Sequence, residues 1–96
     1  MQFSFSAPLW LYPGKAAWYL VTLPAGVSDE IEEAASGRTR GFGSVPVTVT
    51  VGATTWSTSL FPSKREAAYI LPVKKQVRDA EQIVAGGEVV VTLVLA

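Results

Sequence analysis

Apolar and polar residues alternate through the first eleven positions: Phe3, Phe5, Ala7, Leu9 and Leu11 on one side, Gln2, Ser4, Ser6 and Trp10 on the other. A period of two belongs to a strand with one buried face. Tyr12-Pro13-Gly14-Lys15 predicts a turn, because proline presets φ and glycine tolerates positive φ. Ala16 to Leu23 predicts a second strand, apolar on both faces and therefore central, which Pro24 stops. Ser28 is placed to cap a helix, with Asp29 and Glu30 in a first turn where the helix dipole favours acids. Ile31, Ala34 and Ala35 give that helix an apolar stripe, and Gly37 ends it.

A hairpin follows. Val45, Val47, Val49 and Val51 alternate with Pro46, Thr48 and Thr50, and Gly52-Ala53 suits a two-residue type II′ turn. That turn sets Val51 opposite Thr54, Val49 opposite Trp56, Val47 opposite Thr58 and Val45 opposite Leu60. The valines and Trp56 then share the face turned to the core.

The second half repeats the order of the first. Leu11-Tyr12-Pro13-Gly14-Lys15 returns as Leu60-Phe61-Pro62-Ser63-Lys64, and Ala16-Ala17-Trp18 as Ala67-Ala68-Tyr69. Leu23-Pro24 returns as Leu71-Pro72. Pro72 is read as the first residue of a helix whose buried face holds Val73, Val77, Ala80 and Val84, and Gly86-Gly87 turns the chain into a strand from Glu88 to Leu95. Two β-β-α-β halves, 2–51 and 54–95, predict a single domain over 1–96. The expected fold is mainly β with two short helices: a closed or half-closed β-barrel with pseudo-twofold symmetry.

Composition agrees with one packed domain. Of 96 residues, 49% are hydrophobic and only 17% charged, with a mean hydropathy of +0.31; a disordered chain has the opposite balance. A chain of this size buries only about 60–65% of its unfolded surface, so large core side chains are needed, and three Trp, four Phe and three Tyr supply them. The absence of cysteine excludes disulfides and thiolate metal sites. The N-terminus lacks the basic region of a secretory signal, and no apolar run approaches the roughly 20 residues of a membrane span. A cytoplasmic location is the default expectation.

The order of these motifs resembles a known family. Leu11-Tyr12-Pro13-Gly14-Lys15, Val21-Thr22-Leu23-Pro24, the segment Gly37 to Val45, Thr54 to Pro62 and Tyr69 to Lys74 are together similar to the bacterial domain-of-unknown-function family nineteen-oh-five. The resemblance implies a double-split β-barrel, found alone or fused ahead of a YdeI/OmpD-associated domain; with the chain ending at Ala96, no such partner domain is expected here. It carries no catalytic residue and no cofactor. More loosely, Leu71-Pro72, Val77-Arg78 and Ala85 to Val91 look like the strand–Pro–helix–Gly–strand unit of AbrB/MazE-type swapped-hairpin proteins, many of which bind DNA. That likeness speaks to shape more than to function.

Candidate chemistry is confined to charge and aromatics. The net charge is zero, yet Asp29, Glu30, Glu32 and Glu33 cluster, and between Arg38 and Arg78 seven bases face Glu66 alone. With no histidine or cysteine the usual nucleophile and proton-shuttle arrangements are absent, so no enzymatic activity is expected. A lysine-dependent reaction at Lys15 or Lys64 is the least favoured alternative.

The loop Gly37 to Ser44 offers backbone N–H groups and two arginines for an anion; its plainer reading has Phe42 packed inward and the arginines solvated. The candidate ligand-binding residues are Lys15, Arg38, Arg40, Lys64, Trp10 and Lys74, with Trp10 the best exposed aromatic and Trp18 and Tyr69 assigned to the core. They predict a noncatalytic module, monomer or homodimer, that holds a small anionic ligand or an acidic protein partner without cofactor, metal or membrane. Nucleic acid is the alternative partner and requires the bases to converge on one face.

Overall fold

The computed structural model describes residues 1–14 and 17–96. Six strands, β1 (Gln2–Leu11), β2 (Tyr19–Thr22), β3 (Val45–Val51), β4 (Thr54–Ser63), β5 (Ala68–Pro72) and β6 (Glu88–Leu95), form a closed antiparallel barrel in the order β1-β2-β5-β4-β3-β6. Among the described residues two α-helices, α1 (Ala25–Ala34) and α2 (Lys75–Glu81), follow β2 and β5. No helix among the described residues is long and apolar enough to cross a membrane.

Alternation fills the barrel as its period requires. Phe5, Ala7 and Leu9 of β1, Val45, Val47, Val49 and Val51 of β3, and Val89, Val91 and Leu93 of β6 are all buried. Each large aliphatic side chain removed from water contributes about 1.5–3 kcal/mol. The hairpin register follows its turn: Val51 pairs with Thr54, Val49 with Trp56 and Val45 with Leu60. Trp56 is half-buried and packs against the valine cluster. Strand β2 is shorter than its apolar run, yet Leu20 and Val21 on its opposite faces are both fully buried.

The pairing order is unchanged when β1 exchanges with β4, β2 with β5 and β3 with β6. Hydrogen bonds show which residues exchange. The Leu23 N–H donates to the Tyr69 carbonyl at 3.0 Å, and the Val73 N–H to the Tyr19 carbonyl at 2.9 Å. Tyr19 therefore corresponds to Tyr69 and Leu23 to Val73. Leu11 pairs with Tyr19, and Pro62 with Tyr69, so Leu11 corresponds to Pro62 and Leu9 to Leu60. The sequence motif aligned Leu11 with Leu60, two residues out of register. Its first copy leaves β1 at Leu11, whereas Leu60, Phe61, Pro62 and Ser63 all lie within β4; Lys15 lies outside the described residues.

The helix boundaries differ for physical reasons. Ser28 does not cap α1: it lies one turn inside, its N–H donating to the Pro24 carbonyl at 2.9 Å. Its buried hydroxyl accepts the Tyr69 N–H at 2.9 Å, tying α1 to β5. Asp29 and Glu30 therefore stand mid-helix. Pro72 remains in β5, paired with Leu20, and α2 starts at Lys75. Gln82 adopts left-handed backbone and ends α2, so Val84 is exposed and Ile83 packs on the core instead. Ala80 also faces solvent, while Val73 and Val77 are buried.

Candidate functional site

Two clefts open where a helix leaves a strand end, each built around one of the corresponding tyrosines. The larger, of about 480 Å³, lies between β2, β4 and α2. Trp18, Tyr19 and Trp56 form aromatic walls, and Lys74, Lys75 and Arg78 form a basic side. Arg78 is fixed from two directions. Its Nε donates to the Val73 carbonyl at 3.1 Å, and its Cζ lies 3.8 Å from the centroid of the Tyr19 ring. That stacking leaves the remaining guanidinium N–H groups available to an anion. Lys75 is paired with Asp79 at 2.6 Å, an exposed contact of little energetic weight.

Trp18 is held at the mouth by a relay of side chains. Glu66 accepts the Thr22 hydroxyl proton at 3.1 Å, and the Thr22 oxygen accepts the Trp10 indole N–H at 2.9 Å. The Trp10 ring stands 6.1 Å from Tyr12, which meets Trp18 edge-on at 6.3 Å. Trp10 is therefore a half-buried support, not the exposed aromatic expected. Trp18, expected in the core, is 49% exposed.

The smaller cleft, of about 180 Å³, surrounds Tyr69, with Asp29 and Glu32 of α1 on one rim and Lys64 on another. Here Ser28 occupies the place that Arg78 takes in the larger cleft. The Tyr69 phenol is held above its ordinary value of 10.0, first by burial and then by the negative charge of Glu32. Raising an acid's pKa favours its neutral form in the fold. The resulting stabilisation is complete below pH 10 and lost as pH rises from 10 through the folded-state value. Urea midpoints of the wild type are expected to fall more steeply than those of Tyr69→Phe above pH 10; parallel curves would contradict this coupling.

The predicted site residues are distributed, not convergent. Lys74 lines the larger cleft and Lys64 the smaller. Arg38 and Arg40 border a third depression with Pro46 and Ala96, and Arg38 donates to the Ala34 carbonyl at 3.3 Å. These depressions share no lining residue. Lys15 lies outside the described residues. Phe42 does not pack inward: it is 99% exposed. Sequence reasoning passed over Trp56, Lys75 and Arg78 as a set, because only closure of β2 and β4 around α2 brings them together. Among the described residues, no group of three or more acidic side chains is placed to hold a metal.

The family model for a domain of unknown function (DUF1905) matches residues 5–93. No curated protein matches the chain.

Proposed function

The chain belongs to the DUF1905 family, and from that premise we propose that it is a noncatalytic binding module for an anionic ligand with a flat ring, held in the cleft of Trp18, Tyr19, Trp56, Lys74 and Arg78. One observation carries the reading: three cations and three aromatic side chains from distant segments meet around a single cleft of about 480 Å³. Ligand pockets of roughly 300–1,000 Å³ combine apolar walls with a few placed polar groups in this way. A ring would lie against Trp18 and Trp56, and its anionic substituent would take Lys74 and the outer N–H groups of Arg78. The Gly37–Ser44 loop contributes no residue to this cleft, so anion binding is assigned to Lys74 and Arg78 rather than to Arg38 and Arg40.

The test uses the indoles as reporters. Titration with mononucleotides and with naphthalene sulfonate is expected to quench tryptophan emission, while neutral naphthalene and inorganic phosphate alone bind more weakly. Lys74→Ala or Trp18→Ala is expected to weaken binding about 10-fold or more, the scale of one charge-assisted hydrogen bond or one stacked ring. Unaltered emission with every probe, or affinity unaffected by both substitutions, would remove this site.

A second reading, single-stranded nucleic acid, is favoured by Tyr12 and Trp18, which are 40% and 49% exposed and extend the aromatic surface beyond the cleft. Successive bases stack on such platforms beside bases like Lys74 and Lys75. Anisotropy of a labelled oligonucleotide at low and high salt decides it, since phosphate contacts weaken steeply with salt.

A further inference from the structure

Phe42 contributes nothing visible to the fold. It is 99% exposed, and its backbone sits at φ 59°, ψ 23° on the short turn Gly41–Gly43. Left-handed backbone suits glycine and is a conformational outlier for a bulky side chain. The neighbours hold it there. The Arg40 N–H donates to the Ser44 carbonyl at 2.8 Å, Gly43 N–H to Arg40 at 3.0 Å and Ser44 N–H to Gly41 at 3.2 Å. A strained residue presenting an apolar ring to water on a hydrogen-bonded turn is a sign of recognition.

A receptor for such a ring lies beside it. A Cβ built on Gly43 would lie 3.3 Å from the Pro62 ring, and Pro62 lines the Tyr69 cleft. Projection and cavity are thus neighbours on one face. The cavity, of about 180 Å³, exceeds the ~150 Å³ in which a benzene ring is held. Pro62, Ala67, Ala68 and Tyr69 give it apolar surface, beside Ser28 and Ser63. Its rim carries Asp29 and Glu32 with Lys64, a net charge of −1. The loop that leads into the projection carries Arg38 and Arg40, with the opposite sign, in the depression bordered by Pro46 and Ala96.

We propose that this face mediates self-association: Phe42 of one chain enters the Tyr69 cleft of a second copy, and Arg38 and Arg40 approach its Asp29 and Glu32. Because projection and cavity are adjacent, a twofold axis makes both contacts at once and closes the assembly as a dimer. An extended anionic surface such as a membrane is a poorer occupant, because Asp29 and Glu32 line the cleft itself and repel it. The surface is separate from the cleft of Trp18 and Arg78, so it stands whether or not that cleft binds a ligand.

Sedimentation equilibrium of the full chain up to millimolar concentration tests it. Wild type is expected to dimerise, and Phe42→Gly to raise the dissociation constant at least ~30-fold, as for loss of an anchor side chain. Phe42→Gly removes no buried surface and relieves the turn, so its circular dichroism is expected to be unchanged. The double variants Arg38→Glu/Arg40→Glu and Asp29→Lys/Glu32→Lys are each expected to be monomeric alone and to form a heterodimer when mixed, because one contact then pairs the native arginines with the native acids and the other pairs the reversed charges. A wild type monomeric at millimolar concentration, a dimer insensitive to Phe42→Gly, or reversed variants that ignore one another would each overturn the assignment.

Discussion

Leu60→Ala is expected to destabilise the protein by about 2–5 kcal/mol, and Leu11→Ala by less than about 0.5 kcal/mol. The two leucines open similar pentapeptides, Leu11-Tyr12-Pro13-Gly14-Lys15 and Leu60-Phe61-Pro62-Ser63-Lys64, and local sequence gives no reason for different costs. Position in the barrel supplies it. Leu60 is fully buried within β4, paired with Val45, and belongs to the central cluster. Truncating it removes apolar burial and leaves a cavity that close-packed neighbours fill only in part. Leu11 is the last residue of β1, paired with Tyr19 and 49% exposed. Against the ~5–15 kcal/mol typical of a domain, the larger cost lowers a urea midpoint severely. Equal midpoints for the two variants would mean that the register relating the halves has been misassigned.

That pair of leucines shows where sequence pattern succeeds and where it stops. Strict alternation and a two-residue turn fixed the β3–β4 register residue by residue, because a slip of one position would turn every valine outward. The order of elements was legible for the same reason: Gly, Pro and the change of period punctuate it. What pattern could not supply was the alignment between halves. The Leu-aromatic-Pro motif marks a strand's exit in one copy and its interior in the other, and hydrogen bonds across the barrel decide the correspondence. Ser28, a serine before two acids, has the local chemistry of a cap without serving as one. Its hydroxyl is instead claimed by the Tyr69 N–H, 41 residues away. Only tertiary pairing reveals that claim.

The candidate site was less legible than the fold. Lys74 could be picked out as a base, and Trp10 and Trp18 as aromatics, but their environments depend on which strands close beside one another. Trp10 is withdrawn into a hydrogen bond with Thr22, and Trp18 is pushed out to the mouth of the cleft. Phe42 illustrates the converse. Aromatic character predicts burial, whereas Phe42 sits at φ 59° on a hydrogen-bonded turn that leaves its ring in solvent. Charge clustering pointed to the central stretch of the chain as a whole, yet the barrel sends Arg38, Lys64 and Lys74 to three separate depressions.

The β3–β4 turn carries a second large effect. Gly52→Ala is expected to cost about 2–3 kcal/mol, from left-handed backbone imposed on a residue with a Cβ and from loss of a neighbouring hydrogen bond. Gly52 has φ 58°, as the first central position of a type II′ turn requires. A Cβ there would collide with the Glu81 carboxylate, which accepts the Thr54 hydroxyl at 2.6 Å and so links the turn to the end of α2. Glu81 would have to swing away, releasing Thr54, while the backbone strain remained. The two contributions separate in a double-mutant cycle. In a Glu81→Ala background Gly52→Ala meets no carboxylate, so its cost is expected to shrink to the backbone part of about 1–2 kcal/mol. A coupling of zero would show that Glu81 moves without loss. A Gly52→Ala midpoint equal to wild type would remove the positive φ itself, and with it the turn geometry that sets the valines of β3 against β4.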